Sequence, residues 1–166
     1  MSLPVTACIG LGANLGDSEQ AVRAAMHALA ALPDSRVVAA SGLYRTLAWG
    51  RTDQPDFINA AVRLQTRLPP LALLAHMLDI ERHAGRDRSD ADAQRWGPRV
   101  LDLDLLLYGE QVIDVPGLQL PHPHLQTRAF ALVPLAEVAA ELPFPGHGTV
   151  ADALRGVDVA GVVALA

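Results

Sequence analysis

Hydrophobic and polar positions recur along this chain with two periods, and they divide it into strand-like and helix-like segments. Val5 to Leu11 is an apolar run of strand length. The glycines and Asn14 in Gly10-Leu11-Gly12-Ala13-Asn14-Leu15-Gly16-Asp17 then mark a turn. Asp17 or Ser18 supplies an N-cap for a helix to about Leu32, with Val22, Met26 and Leu29 on one face. Pro33-Asp34 breaks it. Arg36 to Tyr44 and Phe57 to Leu68 read as the second and third strands, with Thr46 to Pro55 a long loop between them. Pro69-Pro70 opens a second helix through His83, in which Leu71, Leu74, Leu78 and Ile80-Glu81 follow helical spacing. A polar, arginine-rich loop covers Gly85 to Pro98. Val100 to Tyr108 is a strand, Gly109-Glu110 a turn and Gln111 to Ile113 a short return strand. Thr127 can cap a helix over Arg128 to Ala140, and the last ten residues are small, apolar and without pattern.

The order β-α-β-β-α-β describes an α+β, ferredoxin-like sandwich with an added C-terminal helix. Antiparallel pairing is expected where strands follow one another directly. No repeat or linker divides the 166 residues, so residues 1–166 are expected to form one domain, with 1–4 and 156–166 as flexible ends. A hydrophobic content of 51% suits a packed core, and no apolar run approaches the roughly 20 residues of a membrane helix. The N-terminal residues lack the basic start and long apolar stretch of a secretory signal. The single cysteine, Cys8, rules out an internal disulfide and points to a reducing cytoplasm; in its apolar run it reads as a buried, inert thiol. A net charge of −5 removes any global attraction to nucleic acid or anionic membrane, and a monomer is expected. All 13 cations are arginine, so Schiff-base and phosphate-loop lysines are excluded and phosphate handling must rest on arginine, backbone amides and metal.

The most informative stretch is Arg95-Trp96-Gly97-Pro98-Arg99-Val100-Leu101-Asp102-Leu103-Asp104-Leu105. On a strand, alternation sends Leu101, Leu103 and Leu105 to the core and both carboxylates to the other face. Two carboxylates roughly 7 Å apart at their Cα atoms can hold or bridge hard cations, and magnesium takes a couple of protein oxygens with water and phosphate completing its shell. For an isolated Asp-x-Asp a solvated strand face is the commoner reading. The adjacent arginines, and Trp96 as a stacking surface, favour the metal. Arg86, Arg88, Arg95 and Arg99 lie on or beside one loop and can form a guanidinium clamp for polyphosphate. Asp87, Asp90 and Asp92 make a self-neutralised surface loop the plain alternative.

Other polar signals are weaker alone. The glycine-rich run Gly10 to Gly16 has the wrong spacing for a dinucleotide or phosphate-loop motif. Asn59, beside Phe57, offers an amide able to pair with a heterocycle edge, though such an asparagine is more often a turn or strand-end residue. Pro121-His122-Pro123-His124 lacks nearby cysteine or glutamate for zinc, so a hydrogen bond from His122 to phosphate fits better. Phe130, just after Arg128, is by default a helical core residue. Four of the seven aromatic residues, Trp49, Phe57, Trp96 and Phe130, lie near these polar segments.

Together these segments resemble the 6-hydroxymethyl-7,8-dihydropterin pyrophosphokinase family, from about Thr6 to Leu154. The likeness is carried by Gly12-Ala13-Asn14-Leu15-Gly16, Tyr44-Arg45-Thr46, Asp53 through Val62, Arg95 through Asp104 and Pro121-His122-Pro123. The run Arg-Trp-Gly-Pro-Arg-x-Leu-Asp-Leu-Asp is highly specific. The resemblance implies ATP as co-substrate and two magnesium ions at Asp102 and Asp104. Arg86, Arg88, Arg95, Arg99, Leu105, His122 and Arg128 would meet ATP, with Arg86, Arg95 and Arg99 also counted as catalytic beside the two aspartates. It further implies a pterin ring between Phe57 and Phe130, read by Asn59, Thr46 and the backbone near Leu47, with Trp49 and Trp96 on closing loops. Glu81 matches a family acidic position with a supporting role. The chain departs from its relatives in a longer loop between Arg88 and Arg95, in lacking a lysine there, and in Leu47-Ala48 after the threonine. These departures bear on ATP affinity and loop closure more than on the reaction.

The expected reaction is attack by the pterin's hydroxymethyl oxygen on the β-phosphorus of ATP, releasing AMP. Two rivals share the fold: a non-catalytic module binding RNA or a small effector, which the acidic charge and the lack of aromatic sheet motifs oppose, and a metal-dependent nucleotidyltransferase, which would release pyrophosphate. Fold alone does not separate them; the site does.

Overall fold

The computed structural model describes residues 3–46, 56–84 and 100–165. Within them the expected βαββαβ order is present. Strand β1 (Val5–Ala13) leads to helix α1 (Ser18–Ala30), then β2 (Ser35–Ala40), β3 (Tyr44–Thr46) and β4 (Phe57–Thr66). Helix α2 (Pro70–His83) and β5 (Asp102–Tyr108) complete the motif. A hairpin of β6 (Ile113–Val115) and β7 (Leu118–Leu120), a 3₁₀ turn (Leu125–Thr127), α3 (Ala129–Ala139), α4 (Val150–Arg155) and β8 (Val162–Ala164) follow. The main sheet runs β5-β1-β4-β3-β8, with β2 also pairing with β4, and every pairing is antiparallel.

Strand alternation gives the sheet two different faces. Ala7, Ile9, Leu11, Leu103 and Leu105 pack with Val22, Leu29, Leu73 and Met77 of α1 and α2 in the larger core. On the opposite face Cys8, Ala61, Leu106 and Leu107 pack under Leu132 and Leu135 of α3 and under Phe144 and Val150. Leu106 and Leu107 share that face because the β1–β5 register shifts between Cys8 and Ile9, the two-against-one arrangement of a β-bulge. Burial pushes the Cys8 thiol up to about 12, so it is an inert core group. Arg63 of β4 donates to the Val138 carbonyl and to Glu141, anchoring the end of α3 to the sheet.

Several boundaries differ from expectation, each for a local reason. The second strand is two strands: Val37 and Ala39 flank a register shift, and the chain leaves the ladder after Ala40 before β3 resumes it. Gly10 and Gly12 lie inside β1, and the turn begins only at Asn14. Asp17 is the cap of α1, accepting from the Gln20 amide at 3.2 Å. On α2 the row Leu73, Met77 and Glu81 is buried, whereas Leu71 and Leu78 are exposed. That helix is apolar on several sides, so contact with the sheet selects the face. Thr127 does not cap α3: its hydroxyl donates to the His124 carbonyl inside the 3₁₀ turn, and Arg128 takes the cap position without a side-chain bond. The return strand after Gly109 pairs with β7 in a separate two-stranded sheet instead of with β5. Among the described residues no helix is long and apolar enough to cross a membrane.

Candidate functional site

Six residues on three neighbouring strands share the sheet face opposite the larger core. Gly12 of β1 pairs with Asn59 of β4 on one side and Asp102 of β5 on the other, and Gly10 pairs with Ala61 and Asp104. The amide and the two carboxylates therefore project from the same face, separated by strand residues that have no side chain. The glycines are required for this. A Cβ on Gly12 would stand 2.9 Å from Asn59 Nδ2, and one on Gly10 would stand 3.2 Å from Leu106 Cδ1. Gly12 was missed from the sequence, where glycines near a helix start read as turn residues.

Asn59 is buried, and its Oδ1 accepts the Thr46 hydroxyl at 3.0 Å, which sets the sense of the amide. Phe57, two residues earlier, pairs with Thr46 in the β3–β4 ladder. Phe130 sits in the first turn of α3 with 37% of its surface exposed, and the Arg128 guanidinium lies over its ring at 5.8 Å. Among the described residues Phe57 and Phe130 make no ring contact with each other, whereas Arg128 and Phe130 are joined.

Asp102 and Asp104 are half-buried, and both flank Leu103, whose side chain enters the larger core. The Leu103 backbone N–H donates to Glu81 at 2.8 Å, and Glu81 is only 3% exposed. A carboxylate from α2 thus holds β5 at the residue between the two aspartates. Asp104, Leu105 and His122 line a cavity of about 660 Å³ that reaches under the β6–β7 hairpin to Asp114, Gly117 and Gln119. Leu105 is buried in the larger core and contributes to the wall of this cavity.

His122 is fixed by its backbone N–H, which donates to the Leu106 carbonyl at 3.0 Å. Its Nε2 lies 3.8 Å from Asp104 Oδ1, and its buried Nδ1 has no hydrogen-bond partner among the described residues. Burial first, then the charge of Arg128 and of His124, holds the imidazole below the usual histidine range, with Asp102 opposing weakly. At neutral pH His122 is therefore an uncharged imidazole near a carboxylate and not half of an ion pair.

The donor set fits a hard cation. Two half-buried carboxylates one pleat apart provide oxygen ligands only, and magnesium asks for one or two such groups with water and phosphate oxygens completing its shell. Among the described residues no group of three or more His, Cys, Asp or Glu is placed to hold a metal ion. Arg86, Arg88, Arg95, Arg99, Leu47, Trp49 and Trp96 lie outside the described residues.

Residues 8–140 match the family described as 7,8-dihydro-6-hydroxymethylpterin-pyrophosphokinase (HPPK). A Methylorubrum extorquens protein named 2-amino-4-hydroxy-6-hydroxymethyldihydropteridine pyrophosphokinase is 49% identical over 157 residues, 94% of this chain and 96% of its own length. A Pseudomonas aeruginosa protein of the same name is 47% identical over 137 residues, 82% of either chain, and one from Haemophilus influenzae is 38% identical over 91% of this chain and 92% of its own. Among solved structures, wild-type Plasmodium falciparum HPPK-DHPS with pteroate superposes with a TM-score of 0.70 over 92% of this chain, at 13% identity. This chain spans 42% of that longer one, and at such identity the likeness shows the fold. Sequence identity across most of the length and a common fold agree, and the chain belongs to the 7,8-dihydro-6-hydroxymethylpterin-pyrophosphokinase family.

Proposed function

We propose that this chain transfers the pyrophosphoryl group of ATP to the hydroxymethyl group of 6-hydroxymethyl-7,8-dihydropterin, in folate biosynthesis and in the cytoplasm. The hydroxymethyl oxygen bonds to the β-phosphorus, and the bond from that phosphorus to the α,β-bridging oxygen breaks. The bridging oxygen leaves with AMP, and the hydroxyl proton goes to solvent. The observation that carries this reading is the shared face of Asn59, Asp102 and Asp104, which joins a heterocycle-reading amide to a cation-holding pair across Gly12.

In this reading Asp102 and Asp104 hold magnesium, which supplies charge neutralisation for the triphosphate when bound. Each chain residue then has a task. The cavity beside Asp104 under the β6–β7 hairpin takes ATP, with Leu105 in its wall. His122, uncharged, donates a hydrogen bond to a phosphate oxygen. Arg128 lies beside both halves of the site and swings from the Phe130 ring toward the polyphosphate. Arg86, Arg88, Arg95 and Arg99 complete the clamp from their loop, with Arg86, Arg95 and Arg99 offsetting charge on the transferring group. Phe57 and Phe130 stack the pterin, and Asn59, aligned by Thr46, reads its edge. Leu47 offers backbone groups to that edge, and Trp49 and Trp96 exclude water from above. Positioning and fixed charge supply most of the acceleration in such a transfer.

The test is product analysis after mixing protein, magnesium, ATP and 6-hydroxymethyl-7,8-dihydropterin. AMP and a pterin diphosphate are expected. Release of pyrophosphate would mean nucleotidyl transfer, and no turnover would mean a binding module.

A further inference from the structure

The motif Tyr44-Arg45-Thr46 contributes one residue to the pterin side of the site, Thr46, and the structure assigns a separate job to Tyr44. Its hydroxyl donates to Glu137 Oε1 at 2.6 Å, and the Gly42 backbone N–H donates to both oxygens of the same carboxylate at 3.2 and 3.1 Å. Glu137 belongs to α3, the helix whose first turn carries Phe130. Gly42 lies in the break between β2 and β3, where the chain leaves the ladder. One carboxylate therefore fastens the helix bearing the stacking ring to the corner that launches the short strand bearing Thr46.

We propose that Glu137 and Tyr44 are positioning residues for the pterin half of the site, fixing β3 against α3 so that Thr46 aligns the Asn59 amide at a set distance from the Phe130 ring. This rests on the functional reading above. The geometry behind it is direct. Tyr44 pairs with Asn59 in the β3–β4 ladder, and Thr46, two residues on, projects from the same face as Tyr44. β3 has only three residues, so its ladders with β4 and β8 are short, and a charged acceptor taking three hydrogen bonds from two donors adds a strong tie. Burial, and then the Glu137 carboxylate, pushes the Tyr44 hydroxyl up to about 12, so it stays a donor at every working pH. Most of the nucleotide half, with Asp102, Asp104 and the wall of the cavity, hangs from β5, the β6–β7 hairpin and the segment carrying His122, while Arg128, at the cap of α3, is the nucleotide-side residue that shares a helix with Glu137.

The test is steady-state kinetics of Glu137→Ala, Glu137→Gln and Tyr44→Phe with ATP and 6-hydroxymethyl-7,8-dihydropterin, with melting curves for each. The expected result is a KM for pterin raised about tenfold in Glu137→Ala, less in Tyr44→Phe, with KM for ATP changed by no more than about twofold. Glu137→Gln, which keeps one acceptor oxygen, should recover part of the loss. Equal rises in both KM values, or an unchanged pterin KM in folded variants, would overturn the proposal. If Glu137→Ala does not fold, Tyr44→Phe decides by the same criterion, since it keeps the ring and the Gly42 bond. Absence of AMP formation by the unaltered protein would overturn the functional reading instead.

Discussion

Glu81, buried in α2, accepts the Leu103 backbone N–H at 2.8 Å, one residue from each of the two aspartates that β5 presents on its other face. A carboxylate on the core side of the strand thus sets the height of two carboxylates on the site side. Removing it leaves a buried amide without its acceptor, which costs about 1–3 kcal/mol. Glu81→Ala should therefore lower the melting temperature by several degrees, whereas Glu81→Gln, which keeps an acceptor oxygen, should lower it less. Thermal unfolding followed by circular dichroism measures both.

The aspartates themselves should behave in the opposite way. Both are half-exposed, so Asp102→Ala and Asp104→Ala are expected to leave the melting temperature near its original value while turnover falls by at least about a thousandfold. Steady-state rates at saturating ATP and pterin check this. Near-normal turnover in either variant would remove that residue from the cation site.

Gly12 separates the two halves of the face by having no side chain. Gly12→Ala places a methyl group 2.9 Å from Asn59 Nδ2, and the amide must move. The expected outcome is a KM for pterin raised about tenfold with KM for ATP little changed. Isothermal titration with each substrate separately is an independent check.

Both tyrosines are held above their ordinary range, Tyr44 at about 12 by burial and then by Glu137, and Tyr108 upward by burial. An unfolded chain loses these protons near pH 10 while the folded one keeps them, so the unfolded state binds fewer protons there. The stability that both groups contribute is whole below pH 10 and is lost as pH rises above it, for Tyr44 through about 12. A spectrophotometric titration should show less tyrosinate at pH 10 in the native protein than in the unfolded chain, and Tyr44→Phe should leave a single titrating phenol.

How far the sequence carried the structure varies from residue to residue. The aspartate strand was legible because a pleat imposes strict alternation, and Leu101, Leu103 and Leu105 are buried as that alternation requires. Asp17 was legible as one of two cap candidates, with Ser18, because capping is local. The break between β2 and β3 was not, since it arises from a register shift against β4 that no local pattern announces. Nor was β8, whose small residues form a strand only by pairing with β3. Gly10 and Gly12 carry a turn signal, yet they sit mid-strand because Asn59 and Leu106 need the space. Asn59 gains its bond to Thr46 from the β3–β4 pairing, and the tie from Glu137 to Tyr44 spans 93 positions in the chain. The arginine loop expected to clamp polyphosphate lies outside the described residues.

In the proposed function Asp102 and Asp104 hold the cation that meets ATP. A crystal grown with magnesium, a non-hydrolysable ATP analogue and 6-hydroxymethylpterin puts this to the test. The account predicts carboxylate oxygens of both residues at about 2.1 Å from magnesium, with phosphate oxygens in the same shell. Electron density showing both carboxylates turned to bulk water, with the triphosphate bound elsewhere, would contradict it.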